Sequence, residues 1–557
     1  MRKVLIALIA GTFLLMSQGF AVSASESANQ VAERTKYQWP PELDLNKSAS
    51  GTTGYYWLTN DTFAGRATEG EGMSFIRVAP DIQPSCESFT DPYCVELVQK
   101  EGANWWSNLV LNACTLDLGK YPCVDGVSLE VDGKTRSLLF EQHVAGPTWP
   151  ADDSVKLPPG GRASIWRDST DAQDIRYLVI VSGTLPRLDD LKKPGGELAI
   201  LQNFQASIVR TRVITGNYSG VRRFKSAEGA PRISFGSAPY CDWVIEGSCG
   251  YKVDFLSGSR LQLSVNLPAH ARGFLIGRMK SPQIQVSRTS ADFVNLKVSA
   301  EPINVPYLKV VVPIGESTSE MRGHFNNPRK YYCISTDPTC KSGLVGGGTA
   351  SSGETAFDYF ELFEKALPDR AALMVPIWSF RNHLANLGRC WTSDVFQGLV
   401  STNAAVYEGD PPKLINGELV YKVAGVHQES EGKTFRGTYD LNIPSTIGRC
   451  LYDLSDRPIK ASVSVTNRDG DVSVETTSFI ERDGWIRLSA NGFTFSQPTI
   501  KVALSQDESA PTPTPTLSVS PTINPVIEKK SITCVKGKKV KRVTAENPKC
   551  PKGFKKR

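Results

Sequence analysis

The number and spacing of the cysteines constrain the fold of this chain more than any other feature. There are twelve, and an even set in an exported chain indicates disulfide bonds. A zinc site is disfavoured because the sequence has no Cys-x-x-Cys pair and only five histidines, and we expect no metal or other cofactor. The first four cysteines could also pair crosswise. Pairing of sequence neighbours predicts the bridges Cys86–Cys94, Cys114–Cys123, Cys241–Cys249, Cys333–Cys340, Cys390–Cys450 and Cys534–Cys550.

The N-terminus has the three parts of a secretory signal peptide. Met1-Arg2-Lys3 is charged, Val4–Met16 is apolar, and small residues at Val22 and Ala24 place cleavage after Ala24. The apolar run is shorter than the ~20 residues that a membrane-spanning helix needs. We therefore expect a secreted protein, either extracellular or associated with the cell surface, where disulfides persist.

Strand patterns dominate the middle of the chain. Short runs of aliphatic, β-branched and aromatic residues are bounded there by Gly, Pro, Ser or Asp. One notable helix is expected at about 354–367, where apolar residues recur at helical spacing behind a capping box from Ser351 to Glu354. The sequence predicts a mainly β protein with two or three antiparallel β-sandwich-like domains, braced by disulfides. The dipeptides that indicate tight hairpins near its end are Asp469-Gly470, Asp483-Gly484 and Asn491-Gly492.

The predicted organisation has seven parts. The Pro/Thr alternation near residue 511 cannot bury a core and favours an extended, disordered linker. Cys390 and Cys450 are spaced like an immunoglobulin pair, but Trp391 directly follows the first, so we expect only immunoglobulin-like architecture. The parts are a signal peptide (1–24), a loose N-terminal segment (25–50), a disulfide-containing β-rich domain (51–180), a β domain (181–315), a β domain with the helix and the immunoglobulin-like sandwich (316–506), the linker (507–528) and a small basic two-cysteine tail (529–557).

The positive charge of the chain is concentrated at its C-terminal end. Residues 529–557 hold 12 Lys or Arg and one acidic residue, Glu546, whereas the rest of the chain holds 51 basic and 56 acidic residues. This division argues against nucleic acid as a partner of the body and predicts attraction between the tail and an anionic cell-envelope polymer or membrane surface. The alternative is a merely solubilising basic end. The residues predicted to bind the polyanion are Lys536, Lys538, Lys539, Lys541, Arg542, Lys549, Lys552, Lys555 and Lys556.

The sequence contains none of the familiar hydrolase or dinucleotide-binding motifs. Glu141 and His143 would share one face of a strand and could pair, although a structural role is the stronger interpretation. The acidic pairs Asp152-Asp153 and Asp242…Glu246 do not exceed chance among 57 acidic residues. We therefore expect no catalytic residue.

Two further patterns have weak functional interpretations. Asn467–Asp471 resembles part of a calcium loop but lacks the required Gly and Glu, and a hairpin turn explains the same residues. The runs Tyr55-Tyr56-Trp57 and Trp105-Trp106 could stack on sugars, which makes a glycan a second candidate partner. Aromatic residues more often form core, however.

Two parts of the chain resemble other exported proteins. The segments Ile532–Lys539 and Asn547–Lys556 look like a tail that recurs after Pro/Thr spacers on exported actinobacterial proteins. The body, through Gly54–Leu58, Gly437–Leu441 and Arg449–Tyr452, resembles an uncharacterised family of secreted proteins from the same bacteria. The resemblance implies export and envelope association, and it brings no assigned activity.

Together these observations predict an exported, non-catalytic cell-envelope or adhesion-type protein that its basic tail holds to anionic material. The alternative is a secreted hydrolase that acts on glycan or cell-wall polymer. The sequence does not indicate an oligomeric state.

Overall fold

The structure is a computed structural model, and three of the larger segments and bridges predicted from the sequence lie outside the residues that it describes. These are the signal peptide at 1–24, the Cys333–Cys340 bridge and the linker at 507–528. The chain divides into two compact units, Met1–Gln506 (the body) and Asp507–Arg557, whose described residues we call the C-terminal module. The described residues are 28–37, 54–59, 67, 72–79, 86–88, 90–101, 104–114, 121–146, 148–151, 157–184, 204–220, 222–225, 231–234, 240–269, 271–325, 344–345, 352–383, 390, 396–466, 476–495, 499–506, 530–536, 539–545 and 548–557.

Strands account for 53% and helices for 11% of the structure, which confirms the mainly β class. The described helices are α1 (Ala28–Thr35), α2 (Pro92–Glu101), α3 (Ser319–Phe325), α4 (Glu354–Phe363) and α5 (Ser445–Tyr452), with a 3-10 turn at Ile314–Glu316. The strands of the first half are β1 (Gly54–Leu58), β2 (Phe75–Ala79), β3 (Asn104–Val110), β4 (Cys123–Val131), β5 (Lys134–Ser137), β6 (Leu139–His143), β7 (Ser164–Arg167), β8 (Ile175–Gly183), β9 (Gln205–Thr215), β10 (Arg222–Lys225), β11 (Pro231–Ser234), β12 (Trp243–Ile245), β13 (Ser248–Lys252) and β14 (Arg260–Pro268).

The second half contains twenty further described strands. They are β15 (Gly273–Arg278), β16 (Lys280–Arg288), β17 (Phe293–Glu301), β18 (Ile303–Tyr307), β19 (Lys309–Pro313), β20 (Leu344–Val345), β21 (Leu373–Ile377), β22 (Ser379–His383), β23 (Phe396–Thr402), β24 (Val406–Tyr407), β25 (Lys413–Ile415), β26 (Glu418–Ala424), β27 (Gly437–Pro444), β28 (Lys460–Thr466), β29 (Thr476–Arg482), β30 (Trp485–Phe493), β31 (Thr499–Ser505), β32 (Lys530–Lys536), β33 (Lys539–Ala545) and β34 (Lys555–Lys556).

One 14-stranded sheet, the long sheet, runs through the body. Its main path is β2-β3-β8-β9-β22-β15-β23-β27-β30-β29, and β6, β7, β12 and β13 branch from it. Neighbours along this path are antiparallel except for the parallel pair β15 and β23. The sheet takes strands from all three predicted domains, so the boundaries at 180 and 315 do not separate its strands.

Two five-stranded sheets accompany the long sheet. One has the order β16-β17-β14-β4-β5, and the other has the path β24-β26-β31-β28 with β25 attached to β26. Smaller sheets are β19-β1-β20, β10-β11 and β18-β21. All the described pairings except β15–β23 and β1–β20 are antiparallel, as expected for strands joined by short turns.

The two largest core clusters each combine side chains of the long sheet with those of a five-stranded sheet. In the first cluster Ile208 of the long sheet joins Leu263 and Leu296 of strands β14 and β17. In the second cluster Leu488 of the long sheet joins Val502 of β31. Removal of this apolar surface from water is the main stabilising contribution to such a fold. The long sheet therefore contributes to both clusters.

Helix α4 has the predicted buried face but different ends. Ala356, Tyr359, Phe360 and Phe363 are buried, as their spacing predicts. The helix ends at Phe363 rather than near 367, and the predicted capping box is wrong. Gly353 stands at the N-cap position with a positive φ of 83°, and no side chain caps the helix.

The described cysteines pair with their sequence neighbours. The Cα–Cα distances of these bridges lie between 5.0 and 6.1 Å, within the usual range for disulfides. No cysteine among the described residues is free. Crosswise pairing of the first four cysteines is therefore wrong. The observed bridges are Cys86–Cys94, Cys114–Cys123, Cys241–Cys249, Cys390–Cys450 and Cys534–Cys550.

The Asn/Asp-Gly pairs have different roles. Asp483 and Gly484 have positive φ values of 55° and 75° and join β29 to β30, as predicted. Gly492 instead lies inside β30, where Gly437 pairs with Phe493 and Thr438 pairs with Asn491. Gly492 is thus the extra residue of a β-bulge, and its φ of 87° fits that position. The pair Asp469-Gly470 lies outside the described residues.

The N-terminal segment 25–50, predicted to be loose, contains helix α1. Glu33 on this helix forms an ion pair with Arg212 of β9 and accepts a hydrogen bond from Tyr251 of β13. Just after the helix, Lys36 lies 2.6 Å from the carboxylate of Asp254. These contacts hold the start of the described chain against the long sheet.

Candidate functional site

The C-terminal module is a three-stranded sheet with the order β33-β32-β34. Cys534 of the central strand is fully buried, and no other residue is buried among those of the module whose side chains the structure describes. Its disulfide to Cys550 has a Cα–Cα distance of 5.6 Å. A module of this size cannot build a hydrophobic core, so the covalent bridge takes over part of that role.

Strand register arranges the basic residues in rows. Cys534 lies opposite Lys541 of β33 on one side and opposite Lys556 of β34 on the other. Residues directly opposite each other in an antiparallel pair share a face, so these two lysines flank the disulfide on the same face. One row further, Lys536 pairs with Lys539. Six of the nine predicted polyanion-binding positions thus lie in the strands of one small sheet, and they are Lys536, Lys539, Lys541, Arg542, Lys555 and Lys556.

The charge of the module is of a single sign among its described residues. They hold ten Lys or Arg and no Asp or Glu. Like charges placed opposite each other weaken a sheet, and an anionic polymer along these rows would relieve that repulsion. Of the predicted residues, Lys538 lies outside the described residues, and Lys539 and Arg542 are placed as strand positions only. The exposed members are Lys536, Lys541, Lys549, Lys552, Lys555 and Lys556.

The structure does not bring Glu141 and His143 together. Strand β6 pairs Phe140 with Trp166 and Gln142 with Ile165, so Glu141 is the extra residue of a bulge. The bulge disrupts the alternation on which the predicted pairing depends. Glu141 forms an ion pair with Arg176 of β8 instead. The expectation that these two residues could pair is therefore wrong.

His143 has a structural environment. Its Nε2 accepts a hydrogen bond of 3.2 Å from the backbone N–H of Ala113. Burial, together with the nearby guanidinium of Arg162, lowers the pKa of His143 to about 4. The imidazole is consequently neutral at physiological pH and serves as an acceptor for the backbone. This supports the structural interpretation.

The candidate acidic residues Asp242 and Glu246 lie at the two ends of strand β12. Asp242 is buried before β12 and Glu246 is exposed after it. Asp152-Asp153 and the calcium-like segment Asn467–Asp471 lie outside the described residues. Among those described, no group of three or more His, Cys, Asp or Glu has an arrangement that could hold a metal ion.

The aromatic run in β1 is part of the core. Tyr55 and Tyr56 are buried, and Trp57 is fully buried. The indole of Trp57 stacks on Tyr359 and Phe363 of α4, with ring centroids 6.3 and 6.4 Å apart. These residues cannot stack on a sugar. Trp105 and Trp106 lie in β3.

A buried polar junction that the sequence does not indicate joins two sheets. Met279 connects β15 to β16, and Ser281 at the irregular start of β16 has a positive φ of 49°. Ser401 of β23 accepts a hydrogen bond of 2.9 Å from the N–H of Met279 and donates one to its carbonyl. Asp440 of β27 accepts a hydrogen bond of 2.9 Å from the Ser281 N–H, and Asn442 donates to the Pro282 carbonyl.

Asp440 is the most perturbed carboxyl group of this junction. It is 2% exposed, and burial raises its pKa to about 6. Hydrogen bonds from Ser489 and from the Ser281 N–H oppose this shift because they favour the ionised form. Its strand neighbours Tyr439 and Leu441 are ordinary core residues, so no sequence motif indicates the junction.

Among the helices that the structure describes, none has the length and apolar character needed to cross a bilayer. Comparison of the chain with protein-family models, with curated proteins and with solved structures gives no match.

Proposed function

We propose that this protein is an exported, non-catalytic component of the cell envelope or cell surface, and that its C-terminal module holds it to an anionic envelope polymer or membrane surface. The proposal rests on the three-stranded sheet of the module, which the Cys534–Cys550 disulfide closes. The described residues of this module include ten Lys or Arg and no Asp or Glu. We further propose that the body is a sandwich-like display scaffold. The two core clusters, each shared by the long sheet and a five-stranded sheet, support that arrangement.

The physical basis of attachment is multivalent charge. Each exposed lysine contributes little alone because water and salt screen it, with a Debye length of about 8 Å at physiological ionic strength. Several lysines on one rigid sheet act together on a polymer that carries repeating negative charges. A merely solubilising tail needs no fixed geometry, whereas Cys534–Cys550 fixes the strand register here. Binding should therefore be strong at low salt and lost at high salt.

The test uses the full mature chain on immobilised dextran sulfate, with neutral dextran as the reference matrix. We expect retention on the sulfated matrix alone at about 50 mM NaCl and release near 1 M. A module variant replaces the six exposed lysines by Gln and should elute at much lower salt. Its substitutions are Lys536→Gln, Lys541→Gln, Lys549→Gln, Lys552→Gln, Lys555→Gln and Lys556→Gln.

A matched control removes the same number of charges from the body. The exposed residues Lys134, Lys365, Lys413, Lys422, Lys433 and Lys460 are replaced by Gln, which changes the net charge equally. This variant should elute with the wild type. Equal loss of retention in both variants, or none in the module variant, contradicts the proposal. In cells, deletion of 529–557 should release the protein into the medium, and unchanged surface retention would contradict attachment through the module.

The alternative prediction, a secreted hydrolase, has no observation in its favour among the described residues. Of the candidate acids, Asp242 is buried and Glu246 is exposed, and His143 is neutral and bonded to the backbone.

A further inference from the structure

An open hollow of about 300 Å³ lies in the body beside strand β6. Strand β6 pairs only with β7 among the described strands, so the hollow lies at an edge of the long sheet. Its walls combine two apolar side chains with one carboxylate, one amide and two guanidinium groups. The lining residues are Leu139, Phe140, Glu141, Arg167, Gln173 and Arg176.

Phe140 forms a fixed aromatic wall of the hollow. Its side chain is 39% exposed, although phenylalanine is usually buried. The ring packs edge-to-face on Trp166 at a centroid distance of 5.6 Å and lies 4.8 Å from the ring of His143. Trp166 is itself held by a hydrogen bond of 2.7 Å to Ser164. The exposed ring is therefore held in place from behind.

The polar groups of the hollow are also fixed. Arg176 donates hydrogen bonds of 2.6 and 2.8 Å to the carbonyl oxygens of Gln173 and Ile175. Its guanidinium forms an ion pair with Glu141, with an Nη2–Oε1 distance of 3.1 Å. The bulge at Glu141 places this carboxylate beside the aromatic wall rather than on a regular strand face. Arg167 and Gln173 remain exposed at the rim.

From this arrangement we infer that the hollow is a carbohydrate-binding site, and that it takes a sugar residue carrying a carboxylate. A pyranose ring presents an apolar C–H face that suits Phe140, and hydroxyl groups around its edge that suit the carboxylate, amide and guanidinium groups. Since Glu141 and Arg176 neutralise each other, Arg167 supplies a surplus positive charge. A guanidinium binds a carboxylate with two parallel hydrogen bonds. The inference goes beyond the proposed attachment and does not depend on it.

The test titrates the full chain with methyl β-D-glucuronide and with the neutral methyl β-D-glucoside, measured by calorimetry or by NMR. These probes carry at most one charge, so the C-terminal module gains nothing from multivalency. We expect saturable binding of the glucuronide and weaker binding of the glucoside. Phe140→Ala should weaken binding of both by about tenfold because the stacking surface is lost. Arg167→Gln should remove the preference for the glucuronide.

Controls separate binding from folding. Phe140→Leu keeps an apolar side chain without the ring, so it should fold like the wild type and still bind weakly. Ile480→Ala alters another exposed apolar residue of the body, 53% exposed, and should bind normally. The module variant with six Gln should also bind the glucuronide normally, which separates this inference from the attachment proposal.

Three results would overturn the inference. They are the absence of saturable binding by the wild type, normal binding by both Phe140 variants, or equal affinity of the wild type for the two sugars.

Discussion

Asp440 shows how a single buried side chain can determine the connection between sheets. Its carboxylate receives hydrogen bonds from the Ser281 N–H and from the Ser489 hydroxyl, and it is almost completely buried. The first of these bonds links the start of β16 to β27, and the second links β27 to its neighbour β30. The same burial that makes the hydrogen bonds strong also makes the ionised carboxylate costly.

Because burial opposes ionisation of Asp440, the stability of the protein depends on pH. Its pKa is about 6 in the folded state and near 3.8 in the unfolded chain. Between these values the folded state binds more protons, so the free energy of unfolding falls as the pH rises from about 4 to 6. In total the free energy of unfolding falls by roughly 2–3 kcal/mol, since each pKa unit corresponds to on the order of 1.4 kcal/mol. The fall is complete above pH 6.

Asp440→Asn should remove this contribution. Asparagine can accept from the Ser281 N–H and donate to Ser489, and it does not ionise. Urea unfolding between pH 4 and 7 should therefore show a smaller fall in stability for the variant than for the wild type. The exposed Asp483→Asn is the control and should retain the wild-type pH dependence. An unchanged slope in the Asp440 variant would show that another group causes it.

At the scale of elements, the sequence predicts which segments are strands better than it predicts how they pair. The buried face of α4 and the Asp483-Gly484 turn follow from local patterns. The bulges at Glu141 and Gly492 do not, because a bulge depends on the register of the partner strand. The hollow beside β6 depends on one of these bulges. Of its lining residues, the sequence analysis singles out only Glu141, and it assigns that residue a different partner, although the edge residue Phe140 is an aromatic next to three polar residues.

The C-terminal module allows geometry to be separated from charge. Cys534→Ser with Cys550→Ser leaves all lysines in place but removes the bridge between residues 16 apart. A disulfide closing a loop of this length contributes about 3 kcal/mol, and Cys534 is the only buried side chain described in the module. We expect the sheet to unfold, and trypsin to cleave its Lys and Arg sites faster.

If fixed lysine rows strengthen attachment, the double-Ser variant should also elute from dextran sulfate at lower salt than the wild type. The control is Cys241→Ser with Cys249→Ser in the body, which should elute normally. Unchanged elution of the module variant after confirmed unfolding would mean that the number of charges alone determines retention.

At the scale of the whole molecule, pairing between distant segments determines the organisation of the body. Tyr55 of β1 pairs with Val312 of β19, and Ser207 of β9 pairs with Ser379 of β22. No local signal identifies such partners, since each strand is compatible with many neighbours. Composition does mark the division between the body and the C-terminal module, because charge and proline content change there. It does not reveal that one sheet crosses the predicted boundaries at 180 and 315.

A shared sheet should make the body unfold as one unit. Leu263→Ala creates a cavity in the first core cluster and Leu488→Ala creates one in the second, and each should cost about 2–5 kcal/mol. Because the long sheet contributes to both clusters, we expect each substitution to lower the midpoint of the same calorimetric transition. The exposed Ile480→Ala should leave that midpoint nearly unchanged. Independent domains would instead give two transitions, each lowered by only one of the leucine substitutions, and the sheet would then not couple the two clusters.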